Sequence, residues 1–414
     1  MNTLGRLTPN SGGRGGNFQV MAKPAGPACN LACTYCFYLE KKNLFQDGRA
    51  FRMSDEVLEA FIRRYIESVD APQVPFAWQG GEPTILGPEF FRKVVRLQQK
   101  FASGKTITNS IQTNGVLIDD EWAEFFAKHG FLVGISLDGP KRFHDAYRVD
   151  ASGKGSFDRV MKGLRTLQSH QVEFNTLTVV NRKNARHPLD VYRFLKNVGS
   201  RFHQYIPLVE RLPDARSTRL GLNLATPPRP DQESPVTEWS VEPEMYGRFL
   251  IKIFEEWVRR DVGEVFVQMF DNTLASWYGE EAQLCVFRET CGNALIIEHE
   301  GSIYSCDHFM YPEYRLGDIR EKSLKEMVGS ERQVKFGLQK RDGLTEQCRQ
   351  CNLLFACRGG CPKHRFMKTP SGEYGLNYLC PAYKAFFDHV APYMETMTRL
   401  LENRKPPAMI MEML

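Results

Sequence analysis

Eleven cysteines fall into groups whose spacing suits metal chemistry. The first group is Cys29, Cys33 and Cys36, with the spacing Cys-x3-Cys-x2-Cys. A four-iron cluster normally takes four thiolates, so three would leave one iron open to a substrate or cofactor. The alternatives are a zinc knuckle or three buried cysteines without metal, but zinc sites usually pair Cys-x2-Cys groups or add histidines at regular distances. No histidine lies between Ala22 and Arg64, so the spacing favours iron.

The remaining eight cysteines lie in the C-terminal third of the chain. They are Cys285, Cys291, Cys306, Cys348, Cys351, Cys357, Cys361 and Cys380. Eight thiolates are the number that ligates two four-iron clusters fully. A closed cluster has no position for a substrate, so its use would be to pass electrons. Two zinc sites in a ribbon-like domain are the alternative by count alone, and the first group favours iron for all three sites.

The composition suits a reduced, water-soluble protein. The chain has 414 residues, a net charge of +5 and no strongly basic stretch, so we expect neither a nucleic-acid nor a membrane partner. Its N-terminus lacks the apolar core of a signal peptide, which predicts a cytoplasmic location with reduced thiols. An odd number of cysteines also argues against a complete disulfide framework. We expect a monomer.

Short apolar runs alternate with helical periodicity from about residue 17 to 210. The predicted strands span residues 18–23, 75–79, 109–113, 132–137, 172–180 and 202–209, and the predicted helices span 55–68, 88–102, 119–128, 156–169 and 188–197. Such alternation predicts a parallel sheet. Six βα units would form a partial barrel, two units short of a full one.

The domain organisation follows from changes in composition. We expect a flexible N-terminus (1–16), the partial barrel (17–240), a linking helical segment (241–284), a cysteine-rich domain (285–393) and a C-terminal tail (394–414). Residues 212–240 are rich in Pro, Arg, Thr and Ser, which predicts a long surface loop. A helix is expected at 244–260, a hairpin at 294–298 and 302–305, and a closing helix at 381–403.

Polar residues follow the ends of the predicted strands, where barrel active sites collect. The string Gln79-Gly-Gly-Glu82-Pro83 follows the second strand, and its glycines would let a ligand approach the backbone. Ser136 ends the fourth strand, and Arg148 follows a short loop. The alternatives are a plain turn for the glycines and a surface salt bridge for Arg148.

The first cysteine group, with an aromatic residue before its last cysteine, resembles the motif of the radical S-adenosylmethionine (SAM) superfamily. The resemblance implies that the open iron binds the amino and carboxylate groups of SAM. Reductive cleavage then gives methionine and a 5′-deoxyadenosyl radical, which abstracts hydrogen from the substrate. The implied SAM contacts are Tyr35 beside the adenine, Gly80, Gly81 and Glu82 at the ammonium end, Ser136 at the ribose and Arg148 at the carboxylate.

The run Cys348-x2-Cys351-x5-Cys357-x3-Cys361 followed by Cys380 resembles the SPASM domain, a C-terminal extension of radical SAM enzymes. The resemblance implies three [4Fe-4S] clusters in total. It assigns one auxiliary cluster to Cys285, Cys291, Cys306 and Cys361. It assigns the other to Cys348, Cys351, Cys357 and Cys380.

Four strings extend the resemblance to the anaerobic sulfatase-maturating enzymes. They are Val20-Met-Ala-Lys-Pro24, Cys33-Thr-Tyr-Cys-Phe-Tyr-Leu-Glu40, Trp78-Gln-Gly-Gly-Glu-Pro-Thr84 and Ser305-Cys306-Asp307. Such enzymes oxidise a cysteine or serine in a sulfatase Cys/Ser-x-Pro-x-Arg motif to Cα-formylglycine without oxygen. The implied partners are therefore a sulfatase polypeptide and an electron donor such as flavodoxin or ferredoxin.

Asp307 is the expected base, because it directly follows a cluster ligand and lies near the electron acceptor by covalent connection. A solvated turn aspartate is the alternative. Tyr38 and Gln79 resemble residues near the substrate peptide, with barrel packing as the alternative. Three other functions remain open at this point: a SPASM maturase forming thioether or carbon–carbon links, an iron–sulfur electron carrier and a zinc-binding interaction protein.

Overall fold

The computed structural model describes residues 18–45, 51–228 and 234–414. The predicted flexible N-terminus, residues 1–16, lies outside these ranges. Within them, every helix is too short or too polar to cross a membrane.

The centre of the fold is a parallel sheet, as the sequence predicts. Strands β1 to β7 lie side by side in chain order, and each pairs in parallel with the next. Their bounds are Gln19–Lys23 (β1), Gln73–Trp78 (β2), Thr106–Thr113 (β3), Phe131–Ser136 (β4), Phe174–Val180 (β5), Phe202–Pro207 (β6) and Phe266–Val267 (β7). The predicted partial α/β barrel is confirmed, and the short strand β7 extends it.

Helices cover the sheet because each carries one apolar face. They are Asp55–Ser68 (α1), Pro88–Phe101 (α2), Asp120–His129 (α3), Lys141–His144 (α4), Phe157–Ser169 (α5) and Pro188–Asn197 (α6). In α1, Val57, Phe61 and Tyr65 share the buried face, at the spacing of a 3.6-residue repeat. The Ser54 side chain caps the same helix by accepting a hydrogen bond from the Val57 amide.

The hairpin of the cysteine-rich segment continues the barrel sheet. Strands β8 (Ala294–Glu298), β9 (Ser302–Tyr304) and β10 (Arg315–Asp318) follow one another, and β8 pairs in parallel with β1. The register places Lys23 opposite Glu298. Strand β8 is buried on both faces, which suits a strand inside a covered parallel sheet. The sheet thus runs through the boundaries expected between the barrel and the C-terminal domain.

The remaining elements pack around this sheet. They are α7 (Ala215–Arg219), α8 (Pro243–Arg260), α9 (Gln268–Trp277), α10 (Leu324–Gly329), α11 (Glu331–Asp342), α12 (Glu346–Arg349), α13 (Leu354–Cys357), β11 (Met367–Lys368), β12 (Tyr374–Leu376) and α14 (Cys380–Glu402). Helices α8 and α14 pack closely at Gly247, where a Cβ atom would lie 3.1 Å from the Cα of Ala382.

The segment 212–240 differs from the predicted surface loop. It contains α7, and several of its side chains are buried, among them Leu224 and Trp239. Those two side chains form a small apolar cluster with Tyr35 and Leu208. The prediction was wrong here because the apolar residues are dispersed among Pro and Arg and show no periodicity.

Candidate active site

Cys29, Cys33 and Cys36 lie on the loop that follows β1. Backbone hydrogen bonds hold this loop to the segment before α5, from the Ala32 amide to the Val149 carbonyl and from the Thr34 amide to the Tyr147 carbonyl. Burial raises the pKa of Cys29 to about 11 and that of Cys33 to about 12. Half-buried free thiols on one loop fit an iron–sulfur cluster, because bound metal favours the thiolate form.

The glycine pair after β2 packs directly on the cysteine loop. A Cβ atom on Gly81 would lie 2.0 Å from the Ala28 carbonyl oxygen. The Gly81 amide donates to the Gly26 carbonyl, and the Glu82 amide donates to that of Ala28, each at 2.8 Å. Gly80 adopts a positive φ of 134°. These glycines therefore bring two loops into backbone contact next to Cys29.

The Glu82 carboxylate binds the protein itself. It is 1% exposed and accepts hydrogen bonds from the Thr84 amide, the Thr84 hydroxyl, the Thr113 hydroxyl and the Asn114 amide, at 2.6–3.0 Å. Burial raises the pKa of this carboxyl group, and the donors oppose that change. In this arrangement Glu82 ties the end of β2 to the end of β3.

Arg148 is buried in an ion pair. It is 6% exposed, and its Nε lies 2.9 Å from Asp138 Oδ2. The Tyr35 hydroxyl donates to the same carboxylate oxygen at 2.6 Å. Arg148 thus forms a salt bridge, as the alternative to SAM binding expected, but the pair is buried and not at the surface. Asp138 is a residue whose role the sequence did not indicate, although it stands two positions after Ser136. The Ser136 hydroxyl accepts a hydrogen bond from Gln112 at 3.1 Å.

Asp307 forms an ion pair with Lys23 at the end of β1. Lys23 Nζ lies 2.6 Å from Asp307 Oδ1, and Lys23 is 1% exposed. Burial alone would raise the pKa of Asp307, but the charge and hydrogen bond of Lys23, together with the charge of Lys363, outweigh it and lower that pKa below its usual value. The carboxylate is thus held in the form that can accept a proton.

Tyr38 joins this pair from the cysteine loop. The Lys23 ammonium lies 3.8 Å from the centre of the Tyr38 ring. The Tyr38 hydroxyl donates to Glu298 Oε1 at 2.5 Å. Sequence reasoning assigned no role to Lys23 or Glu298. The available signal was one charged residue at the end of each of two apolar strands, β1 and β8. Gln79 lies just beyond β2, where its amide donates to the Ala22 carbonyl.

The structure brings the other eight cysteines together in two groups. Burial raises the pKa of the Cys306 thiol, and Cys361 and Cys285 add to the change. Burial likewise raises that of Cys361 to about 12, with Cys285 and Cys291 adding to it. In the second group, burial raises the pKa of Cys357 to about 12, and Cys380, Cys348 and Cys351 add to it. All eleven cysteines carry free thiols, as two further thiolate-rich sites require.

Two family models match the chain. The radical SAM superfamily model matches residues 24–195, and the SPASM model, an iron–sulfur cluster-binding domain, matches residues 285–352. The first range contains the cysteine loop and the strand-end loops around it. The second begins at Cys285 and contains Asp307.

Curated relatives match over nearly the whole length. A serine-type anaerobic sulfatase-maturating enzyme of Bacteroides thetaiotaomicron is 49% identical over 395 residues, covering 95% of this chain and 94% of the relative. The serine-type enzyme of Klebsiella aerogenes is 36% identical, covering 94% and 89%. The cysteine-type enzyme of Clostridium novyi is 34% identical, covering 94% and 99%.

Solved structures show the same architecture. Native anSMEcpe with bound AdoMet superposes with a TM-score of 0.80 at 32% identity, covering 92% of this chain and 99% of that one. The same protein with bound AdoMet and Kp18Cys peptide superposes with a TM-score of 0.79 over the same shares. With these relatives matched from end to end, this chain belongs to the anaerobic sulfatase-maturating enzymes, a family that combines a radical SAM domain with a SPASM domain.

Proposed function

We propose that this protein oxidises one serine or cysteine of a sulfatase Cys/Ser-x-Pro-x-Arg motif to Cα-formylglycine, without oxygen. The observation that carries the proposal is the ion pair between the buried Lys23 and the half-buried Asp307, which directly follows Cys306. It provides a deprotonated carboxylate between the cysteine loop and the auxiliary cysteines. The names of relatives at 34–49% identity support the same reaction.

Each group of residues has a separate task in this reaction. Cys29, Cys33 and Cys36 would hold the cluster that binds SAM, and the two other cysteine groups would hold the auxiliary clusters. Bound SAM and the clusters supply the hydrogen-abstracting radical and the acceptor for the remaining electron. Asp307 takes the hydroxyl or thiol proton of the target residue. Loss of one hydrogen atom, one proton and one electron gives the aldehyde, or a thioaldehyde that water hydrolyses to it.

Lys23 and Tyr38 position the base. The Lys23 ammonium keeps Asp307 ionised until substrate arrives, and the ring of Tyr38 covers one side of that ammonium. Glu298 holds the Tyr38 hydroxyl, so the ring keeps its place as the peptide binds. Tyr38 and Gln79 would contact the peptide.

The expected iron content follows from the number of cysteines. We expect about twelve irons per chain, as three four-iron clusters on the eleven thiolates. A flavodoxin or ferredoxin would supply electrons to a monomeric, cytoplasmic enzyme. Serine is the first target to test, because the serine-type relative is 49% identical and the cysteine-type relative 34%.

Replacing Asp307 by Asn tests the proposal. The variant keeps the size and much of the hydrogen bonding of the side chain but cannot take a proton. We expect it to bind SAM and peptide and to form 5′-deoxyadenosine, while formylglycine formation falls about 10²–10⁴-fold. Mass spectrometry of Ser-x-Pro-x-Arg and Cys-x-Pro-x-Arg peptides measures the aldehyde, with 5′-deoxyadenosine followed in parallel.

Asp342→Asn is a suitable control. Asp342 is exposed at the end of α11, whereas Asp318 is buried and bound to Arg320. The control should leave both products unchanged. A near-normal aldehyde yield in Asp307→Asn would assign the proton to another group. Stoichiometric zinc without iron in anaerobically prepared protein would contradict the whole assignment.

A further inference from the structure

A cleft opens beside the proposed base. Six of its lining residues carry polar or aromatic side chains: Glu210, Arg211, Thr226, His308, Tyr311 and Lys363. His308 directly follows Asp307 along the chain. The cleft therefore adjoins the segment that carries Asp307, the residue to which the target peptide is proposed to present its reacting side chain.

Arg211 is the unusual residue of the cleft. It is 5% exposed, its Nη2 donates to the Thr226 carbonyl, and its Nη1 has no hydrogen-bond partner among the described residues. Glu210, its chain neighbour, is bound by Lys363 at 2.5 Å. Glu210 is thus already paired with Lys363, and the Arg211 guanidinium keeps an unused donor in a buried position.

A buried guanidinium with an unused donor is costly, because that N–H group loses its hydration without gaining an acceptor. The carboxylates of Asp214 and Glu210 act on the charge of Arg211 from nearby, but neither accepts a hydrogen bond from Nη1. Burial accordingly lowers the pKa of Arg211, although that of an arginine stays far above neutrality. The planar fork of donors is matched best by a carboxylate.

We propose that this cleft is a subsite for an acidic side chain of the target polypeptide, with Arg211 donating from Nη1 to its carboxylate. The subsite rests on the proposed function, since it is the passage of the peptide to Asp307 that brings the acid to the cleft. The protein then selects its target by an acidic residue outside the Ser-x-Pro-x-Arg motif as well as by the motif.

A glutamate scan of the peptide tests the subsite. The parent peptide carries the target serine and the motif, and all remaining positions are glutamine. In each further peptide, one of these glutamines is changed to glutamate. With the reconstituted holoenzyme, we expect one position at which glutamate lowers the peptide Kd and KM about tenfold, with kcat unchanged. Fluorescence anisotropy gives Kd, and formylglycine formation gives KM and kcat.

Variants of Arg211 assign the effect to this residue. Arg211→Gln should remove the glutamate advantage, Arg211→Lys should keep part of it, and Arg219→Gln, at an exposed arginine of the same segment, should keep all of it. An advantage that survives in Arg211→Gln overturns the proposal, as does a scan of the unaltered enzyme without a favoured position. If Arg211→Gln is obtained without its iron, the variant cannot be compared, and the glutamate scan with the unaltered enzyme decides the proposal by itself. Formylglycine on the parent peptide reports separately on the proposed function.

Discussion

Lys23 and Asp307 are far apart in the chain and meet because the segment after Cys306 folds back on the end of β1. The ion pair keeps a half-buried carboxylate charged. A neutral side chain at position 23 would leave that carboxylate without its counter-ion, and burial would then favour its protonated form. At the scale of single residues, the reactivity of Asp307 thus depends on Lys23.

Lys23→Met is therefore expected to lower formylglycine formation about 10²-fold, because the base loses the cation that orients it and holds its pKa low. Formation of 5′-deoxyadenosine should persist, so that the ratio of aldehyde to 5′-deoxyadenosine falls. Lys23→Arg retains the charge and should recover part of the loss. Equal loss of both products in Lys23→Met, with normal iron content, would contradict the role of Lys23 as a counter-ion.

Lys41 is a second buried cation with a measurable consequence. It is 2% exposed, its Nζ has no hydrogen-bond partner among the described residues, and burial lowers its pKa from 10.5 to about 7. Between pH 7 and 10 the unfolded chain binds a proton at Lys41 that the folded protein releases. The contribution of this group to stability therefore rises with pH in that window.

We expect the free energy of unfolding of the wild-type holoenzyme to gain about 2 kcal/mol from Lys41 between pH 7 and pH 9. Lys41→Met keeps the length of the side chain without its charge, so it should lack this gain and be the more stable protein at pH 7. Anaerobic denaturant unfolding at the two pH values provides the comparison. Identical pH dependence in the two proteins would mean that Lys41 keeps its ordinary pKa.

At the scale of elements, the site is built where loops from neighbouring strands touch. The loop after β2 lies against the loop after β1 at Gly81, whose missing side chain permits the contact with Ala28. Glu82 then ties the same loop to the end of β3. The position of the first three thiols thus depends on the packing between strand ends.

Gly81→Ala should displace the cysteine loop, because the added Cβ would overlap the Ala28 carbonyl. We expect a loss of about 3 kcal/mol in stability and of about four irons per chain, with the auxiliary clusters retained. Gly329→Ala is the matched control, since a Cβ at Gly329 would meet no atom within 4 Å. Iron analysis and SAM cleavage are the measurements. A fully loaded, active Gly81→Ala protein would show that the loop tolerates the shift.

Local sequence patterns predicted the positions of helices and strands better than they predicted which strands and side chains pair with one another. The barrel strands and helices lie close to the predicted positions, because each carries its own periodicity and end signals. The hairpin at β8 and β9 was predicted, but its pairing with β1 was not, since the residues of Ala294–Glu298 do not indicate which distant strand they pair with. The same applies to the ion pair of Lys23. The cysteine spacing indicated iron chemistry, whereas the assignment of Asp307 came from family resemblance and stays a prediction.

At the scale of the whole molecule, electron removal and hydrogen abstraction are assigned to separate regions. The eight C-terminal thiols lie outside the loop that would bind SAM. Asp307 links the two regions, because it follows Cys306 in the chain and pairs with Lys23 at the end of β1. Failure of the auxiliary region should therefore stop product formation without stopping SAM cleavage.

Cys348→Ala tests this separation. We expect the variant to lose about four irons and to make little formylglycine, while it still cleaves SAM to 5′-deoxyadenosine. Circular dichroism must show that the variant is folded, because cluster ligation can also stabilise a domain. Full turnover in a folded variant without that cluster would exclude the auxiliary region from the electron path.

The pairing of β8 with β1 also determines which segments of such proteins can be exchanged between relatives. A SPASM segment removed from this chain would leave β1 with an unpaired outer edge, the kind of surface that promotes aggregation. It would also separate Glu298 from Lys23 and Tyr38. The C-terminal third is thus not an independently exchangeable domain, and a functional chimera between relatives must inherit β1, the cysteine loop and β8 from the same parent.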